Sequence, residues 1–100
     1  AREEIFGPVL AMMTFTGGVD GAVPLANDTI YGLAAGIWTR DIQKALRTAR
    51  AVKAGTVWIN TYNMYDAASP FGGYKQSGFG RELGATALEG YTQVKSVWLA

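Results

Sequence analysis

The chain has 100 residues, enough for one small domain, and its nine Lys and Arg nearly balance eight Asp and Glu, for a net charge of +1. The basic residues are scattered, so the basic stripe of a nucleic-acid-binding protein is missing. With no Cys and no His, disulfides, thiolate catalysis and the usual zinc sites are excluded, and we expect no metal site.

The balance of apolar and charged residues favours a segment that packs against more protein. Hydrophobic residues make up 49% of the chain and charged residues 17%, below the usual charged share of about 25%. No apolar run approaches the roughly 20 residues that a membrane span needs, and the acidic start, Ala1 to Glu4, is unlike a signal peptide. We therefore expect a soluble, cytoplasmic protein without a membrane partner.

Three apolar segments predict strands. Pro8 to Phe15 is apolar on both alternating faces, as in a strand that is covered on two sides. Tyr31 to Thr39 and Thr56 to Asn60 repeat this pattern with β-branched and aromatic residues.

A helix is predicted between the second and third of these strands. Asp41 is placed to cap its start, and Gly55 lies just past its end. Its apolar positions share one helix face: Ile42, Ala45, Leu46, Ala49 and Val52. The order strand, connection, strand, helix, strand predicts an α/β fold, a parallel sheet with crossover helices.

The connection from Thr16 to Thr29 contains several helix-breaking residues, Pro24 among them. Pro inside a helix costs about 3 kcal/mol and each Gly up to about 1 kcal/mol. One interpretation is a short helix with Pro24 in its first turn, where Pro is tolerated. The other is a locally loose segment.

The last 40 residues predict a long loop followed by a helix and a strand. Thr61 to Phe79 lacks periodicity and is rich in turn-forming residues, and loops of this length are uncommon unless they are functional. A helix is predicted from Arg81 to about Gly90. Tyr91 to Leu99 predicts a terminal strand that should seek a sheet edge.

Two separated motifs carry a family resemblance. Residues 69–84 read SPFGGYKQSGFGRELG, and residues 3–9 read EEIFGPV. The first resembles the C-terminal signature of the aldehyde dehydrogenase superfamily, and the second resembles a segment of that family's cofactor site. In such enzymes a cysteine thiolate attacks the aldehyde, a hydride passes to NAD or NADP, and a glutamate-activated water hydrolyses the thioester.

The resemblance implies roles for four residues. Glu4 would accept hydrogen bonds from the two hydroxyls of the nicotinamide ribose, and Phe6 would lie near the nicotinamide. Tyr65 and Phe71 would line a substrate tunnel, where burial of an apolar aldehyde tail contributes roughly 25 cal/mol per Å². The plainer alternatives are a solvated acidic residue at position 4 and ordinary core or interface aromatics at the other three.

Other residues of the signature look architectural, and no residue of this chain is assigned a catalytic role. Glycine permits positive φ and close backbone approach. Lys75 and Arg81 are expected to anchor the loop by ion pairing. The remaining architectural positions are Asn60, Gly72, Gly73, Gly78 and Gly80.

The resemblance covers nearly all 100 residues but only the last part of a longer enzyme. Our first hypothesis is that residues 1–100 are one partial domain, the C-terminal part of the catalytic domain of an NAD(P)-dependent aldehyde dehydrogenase. Residues 92–100 would then be an oligomerisation strand that pairs with a neighbouring subunit in a homo-oligomer. Without the cysteine nucleophile, the isolated chain is predicted to be inactive. The alternatives are a non-catalytic module that binds itself or a partner, and a truncated product without function.

Overall fold

The structure, a computed structural model, describes residues 3–100. Its elements are α1 (Val19–Asn27), β1 (Tyr31–Gly32), β2 (Ala34–Ile37), α2 (Ile42–Ala51), β3 (Thr56–Ile59), β4 (Tyr74–Lys75) and a 3₁₀ helix (Ala85–Tyr91). Within these residues, β2 and β3 form a parallel pair, and β1 and β4 form an antiparallel pair. Helices and small sheets are thus mixed, and the predicted α/β class is confirmed.

The unit β2–α2–β3 is the predicted parallel crossover. The two strands align from Ala34 opposite Thr56 to Ile37 opposite Ile59. Of the apolar face of α2, Ala45 is buried at 1% exposure, whereas Ile42 and Leu46 are 61% and 40% exposed. This unit holds most of the small core, because parallel strands joined by a helix bury one face of each element.

The start of α2 is capped as predicted, but its end is not. The Asp41 carboxylate accepts hydrogen bonds from the backbone N–H groups of Gln43 and Lys44 at 2.9 and 3.1 Å. At the other end, Val52 is the C-cap in an extended conformation. Gly55 instead lies against the loop, where a Cβ atom would overlap with the carbonyl of Gly72.

Helix α1 settles the open question about residues 16–29. The helix begins at Val19, so the helical interpretation is correct, but Pro24 lies inside it rather than in its first turn. The missing Pro24 N–H removes one backbone hydrogen bond, which weakens the helix. Contacts with α2 compensate, because Asn27 Nδ2 donates to the Ala51 carbonyl at 3.0 Å and an ion pair joins Asp20 to Arg47.

The predicted strand from Pro8 to Phe15 is wrong for this chain. These residues have no regular secondary structure, and their large apolar side chains are 55–85% exposed. A strand that is buried on both faces needs neighbouring strands. Residues 3–100 provide none for this segment.

The predicted strand from Tyr31 to Thr39 is divided in two. The chain changes partner at Leu33, since β1 pairs with β4 and β2 pairs with β3. The predicted strand from Thr56 to Asn60 is confirmed as β3, which ends at Ile59. The predicted loop from Thr61 to Phe79 is also found, interrupted only by β4.

The C-terminal helix differs from its prediction. The helix expected from Arg81 begins only at Ala85 and is a 3₁₀ helix, because Leu83 and Gly84 have φ values of 61° and 60° that break a helical path. The terminal strand, expected to pair with a neighbouring subunit, stays a prediction. Residues 92–100 have no strand pairing within the described chain, and Val94, Val97, Trp98 and Leu99 are 82–104% exposed.

The overall dimensions reflect these two unpaired segments. The radius of gyration is 17.4 Å and the principal extents are 65 × 32 × 25 Å, whereas a compact domain of this length has a radius of about 13 Å. None of the helices between residues 3 and 100 has the length and hydropathy of a membrane-spanning helix.

Candidate functional site

A cluster of aromatic rings lies beyond the end of β3. Tyr65 and Phe71, the two predicted substrate residues, pack edge to face with ring centroids 5.1 Å apart. Trp58 contacts Tyr65 at 5.7 Å and an interplanar angle of 88°. Tyr62 packs on Trp58 at 4.8 Å. Edge-to-face geometry is the favourable arrangement for such rings, so the cluster has a defined shape.

The cluster is anchored on its inner side and open on its outer side. Trp58 is 7% exposed, whereas Tyr65 is 53% exposed. The Trp58 indole N–H donates to the Met64 carbonyl at 2.8 Å, and the Tyr65 hydroxyl donates to Asn63 Oδ1 at 2.9 Å. The loop therefore presents a partly exposed aromatic surface that is supported by the buried Trp58.

Asn60 ties the beginning of this loop to the strand beside it. Its Oδ1 accepts from the Thr39 N–H and its Nδ2 donates to the Thr39 carbonyl, both at 2.9 Å. The residue has a φ of 54°, a left-handed conformation that Asn tolerates better than most residues. These two hydrogen bonds, the Asn60 clamp, are consistent with the architectural role predicted for Asn60.

The backbone around Phe71 is fixed by the glycine-rich segment that follows. Phe71 and Glu82 exchange both backbone hydrogen bonds at 2.7 Å. Arg81 Nη1 donates to the carbonyls of Gly73 and Gly80 at 3.0 and 2.6 Å, and its guanidinium lies 5.3 Å from the ring centroid of Tyr74. Arg81 thus connects Gly73 and Gly80 by hydrogen bonds across the loop.

Lys75 attaches the same segment to the first half of the chain. Its ammonium donates to the carbonyls of Asn27 and Thr29, both at 2.9 Å. Ser77 Oγ accepts from the Gly32 N–H at 3.0 Å. Lys75 and Arg81 therefore anchor the loop through backbone carbonyls, and the expected ion pairing is not how they do so.

The two predicted cofactor residues lie in the N-terminal segment. Glu4 and Phe6 line one open concavity, and the Phe6 ring is 93% exposed. The backbone at Phe6 has a φ of 42°, an uncommon conformation for an aromatic residue. A carboxylate, which accepts hydrogen bonds, and an exposed aromatic ring therefore line the same concavity.

The structure places the four candidate residues in two pairs. Tyr65 and Phe71 are in contact, and Glu4 and Phe6 share a concavity that neither Tyr65 nor Phe71 lines. Sequence reasoning missed Trp58, which it treated only as a strand residue. The available signal was a Trp two residues before Asn60 at the entrance of a loop rich in aromatics.

Comparison with known proteins identifies the family of this chain. The Aldehyde dehydrogenase family matches residues 1–97. The chain is 56% identical over 97 residues to the betaine aldehyde dehydrogenase of Bacillus subtilis strain 168, which covers 97% of this chain and 20% of that protein. It is 52% identical over 100 residues to the NADP/NAD-dependent aldehyde dehydrogenase PuuC of Escherichia coli K12, covering 100% of this chain and 20% of that protein.

Solved structures give the same result. The crystal structure of the Staphylococcus aureus betaine aldehyde dehydrogenase in complex with NAD+ superposes with a TM-score of 0.85 at 53% identity, over 90% of this chain and 18% of that one. The chain belongs to the aldehyde dehydrogenase family. It spans about a fifth of the length of the curated relatives that it matches.

Proposed function

We propose that this chain is the C-terminal segment of the catalytic domain of an NAD(P)-dependent aldehyde dehydrogenase, which oxidises an aldehyde to a carboxylic acid. The partly exposed Tyr65–Phe71 ring pair, held on a loop with a defined conformation, carries this proposal. The chain has no Cys, so a nucleophilic thiolate would come from another part of the polypeptide. The segment would supply binding surfaces rather than the reacting groups.

The cofactor surface would be formed by Glu4 and Phe6. The Glu4 carboxylate has two acceptor oxygens, enough to bind both hydroxyls of the nicotinamide ribose. The exposed Phe6 ring would restrain the flat nicotinamide beside it. When bound, NAD+ or NADP+ accepts the hydride from the substrate.

The substrate surface would be formed by Tyr65 and Phe71. Two edge-to-face rings offer an apolar wall to an aldehyde tail, and burial of that tail contributes roughly 25 cal/mol per Å². The wall also excludes water from one side of the reacting carbonyl. An aliphatic aldehyde with an apolar tail is the substrate class that this surface suits.

A chimera tests the proposal. This chain replaces the matching segment of Escherichia coli PuuC, and reduced cofactor is measured with propanal as substrate. We expect turnover, and we expect Glu4→Ala to raise the KM for the cofactor about tenfold, because hydrogen bonds to a charged group contribute about 1.5–3 kcal/mol. The neighbouring Glu3→Ala is the matched control and should change that KM less than twofold.

Two results would count against the proposal. One is a chimera that folds and assembles like PuuC but oxidises no aldehyde. The other is an equal effect of Glu3→Ala and Glu4→Ala on the cofactor KM. The purified 100-residue chain alone should show no aldehyde oxidation, and turnover by that chain would refute the expectation that it is inactive.

The exposed C-terminal segment favours a second role, in association. Residues 92–100 carry highly exposed apolar side chains, with Val94 and Leu99 104% and 98% exposed. We propose that this segment pairs as a strand with a neighbouring copy, because unpaired apolar backbone is a ready template for strand addition. The same surface would serve a non-catalytic module that binds itself or a partner.

A further inference from the structure

Trp58 is the one buried member of the aromatic cluster. It lies on β3 and is 7% exposed, while its neighbours Tyr62 and Tyr65 are 59% and 53% exposed. A side chain on a packed strand is held more rigidly than one on a loop. Trp58 is therefore the fixed point against which the more exposed rings of the loop pack.

Besides its packing against Tyr62 at 4.8 Å, Trp58 makes two contacts with the part of the loop around Tyr65. The indole N–H donates to the Met64 carbonyl at 2.8 Å, and the edge of the indole meets the Tyr65 ring at 5.7 Å and 88°. The hydrogen bond fixes the backbone immediately before Tyr65. The ring contact fixes the orientation of the side chain that follows.

The loop backbone includes two residues in an uncommon conformation. Asn60 and Asn63 have φ values of 54° and 59°, in the left-handed region that Asn enters more readily than other non-glycine residues. The Asn60 clamp on Thr39 enforces the first. The Trp58 hydrogen bond to Met64 closes the turn that contains the second.

The far end of the wall is held independently. Phe71 exchanges two backbone hydrogen bonds with Glu82, so its position does not depend on Trp58. Tyr65 is held by Trp58 on one side, by Asn63 through its hydroxyl, and by the Phe71 ring at 5.1 Å. Loss of the Trp58 contacts would thus change the angle between Tyr65 and Phe71 while leaving Phe71 in place.

We propose that Trp58 is a positioning residue that sets the geometry of the Tyr65–Phe71 wall, and through it the fit of the aldehyde tail. The role in substrate fit rests on the proposed function. The positioning itself does not, because it concerns contacts within the chain. Trp58 does not touch the reacting atoms in this proposal.

The first test uses NMR on the 100-residue chain. The chain has three Trp residues, and the Trp58 indole proton should exchange with solvent at least tenfold more slowly than that of Trp98, which is 92% exposed. The nuclear Overhauser effect between the Tyr65 and Phe71 rings should be lost in Trp58→Phe, which keeps a ring but removes the N–H. It should persist in Trp38→Phe, the matched control, since Trp38 contacts Tyr62 at 6.3 Å rather than Tyr65.

The second test uses the PuuC chimera. Trp58→Phe should raise the KM for hexanal about fivefold, the effect of one net hydrogen bond, with the KM for the cofactor unchanged and a smaller effect on acetaldehyde. Asn63→Gly is the second variant, for use if Trp58→Phe fails to fold. It removes the acceptor of the Tyr65 hydroxyl, tolerates the positive φ of this exposed position, and should also raise the KM for hexanal. Asn63→Asp keeps an acceptor for the Tyr65 hydroxyl and should behave like the unchanged chimera.

The positioning role of Trp58 and the proposed function would be refuted by different results. A Tyr65–Phe71 contact that survives Trp58→Phe and Asn63→Gly would overturn the positioning role, whatever the chimera does. An equal effect of Trp58→Phe and Trp38→Phe on the hexanal KM would overturn it as well. A folded chimera without aldehyde oxidation would refute the proposed function, while the NMR result still decides the positioning role.

Discussion

The middle of the chain buries part of its apolar side chains, whereas the two ends leave theirs exposed. Between residues 30 and 84, strands, α2 and the glycine-rich segment are cross-linked by backbone and side-chain hydrogen bonds. Residues 8–15 and 92–100 are equally apolar, yet their side chains are exposed. Hydrophobicity alone therefore does not show where a segment finds its partner. In the middle the partner is within the chain, whereas for the two end segments residues 3–100 do not provide one.

The largest expected effect is in the middle region, at the close approach of two backbones. Gly55→Ala would drive a Cβ atom into the carbonyl of Gly72, and overpacking of this kind costs about 3 kcal/mol or more. We expect a large loss in the free energy of unfolding, measured by urea denaturation with far-UV circular dichroism.

Gly90→Ala is the control for that substitution. Gly90 has open space around its Cα atom, so an added methyl group should leave the urea midpoint nearly unchanged. If both variants unfold at the same urea concentration as the unchanged chain, the contact between Gly55 and Gly72 does not stabilise the middle region.

A smaller effect is expected at the start of α2. Asp41→Ala removes the acceptor for the backbone N–H groups of Gln43 and Lys44 and should cost about 1 kcal/mol of stability. Asp41→Asn keeps a good capping group and should cost much less. Equal destabilisation by Ala and Asn would show that the charge at position 41, rather than the cap, is what matters.

The smallest effect on stability is expected at the C-terminal end, where association should change instead. Val97→Lys combined with Leu99→Lys alters side chains that are 82% and 98% exposed, so the urea midpoint should not move. Sedimentation should show weaker self-association. Thr92→Lys with Gln93→Lys adds the same charge without removing apolar surface, and a matching loss of association there would point to charge repulsion.

The sequence predicts the elements whose partners are local. The period of α2, its Asp41 cap and the adjacent β3 can be read directly, because they depend on neighbouring residues. The strand from Pro8 to Phe15 could not be judged this way, since a buried strand exists only where other strands flank it. Sequence alone left open whether Pro24 lies in the first turn of a short helix or in a loose segment, whereas the structure places it inside α1.

The sequence named candidate residues for the site but not the contacts that hold them. Tyr65 and Phe71 came from the resemblance, and their ring contact agrees with a shared surface without testing their role. The importance of Trp58 depends on a hydrogen bond to a backbone carbonyl six residues away. No pattern of residue types specifies such a bond, because its formation requires the left-handed turns of the loop.

The Lys75 anchor has a consequence for the order of folding. Its bonds to Asn27 and Thr29 join residues 48 and 46 positions apart, and the closure of such a long loop is costly in entropy until other contacts have shortened it. Local contacts form first, and distant ones slow the overall rate. We therefore expect β2–α2–β3 to form early and the glycine-rich segment to close late. On the ribosome, the aromatic wall would become ordered only after Glu82 has emerged.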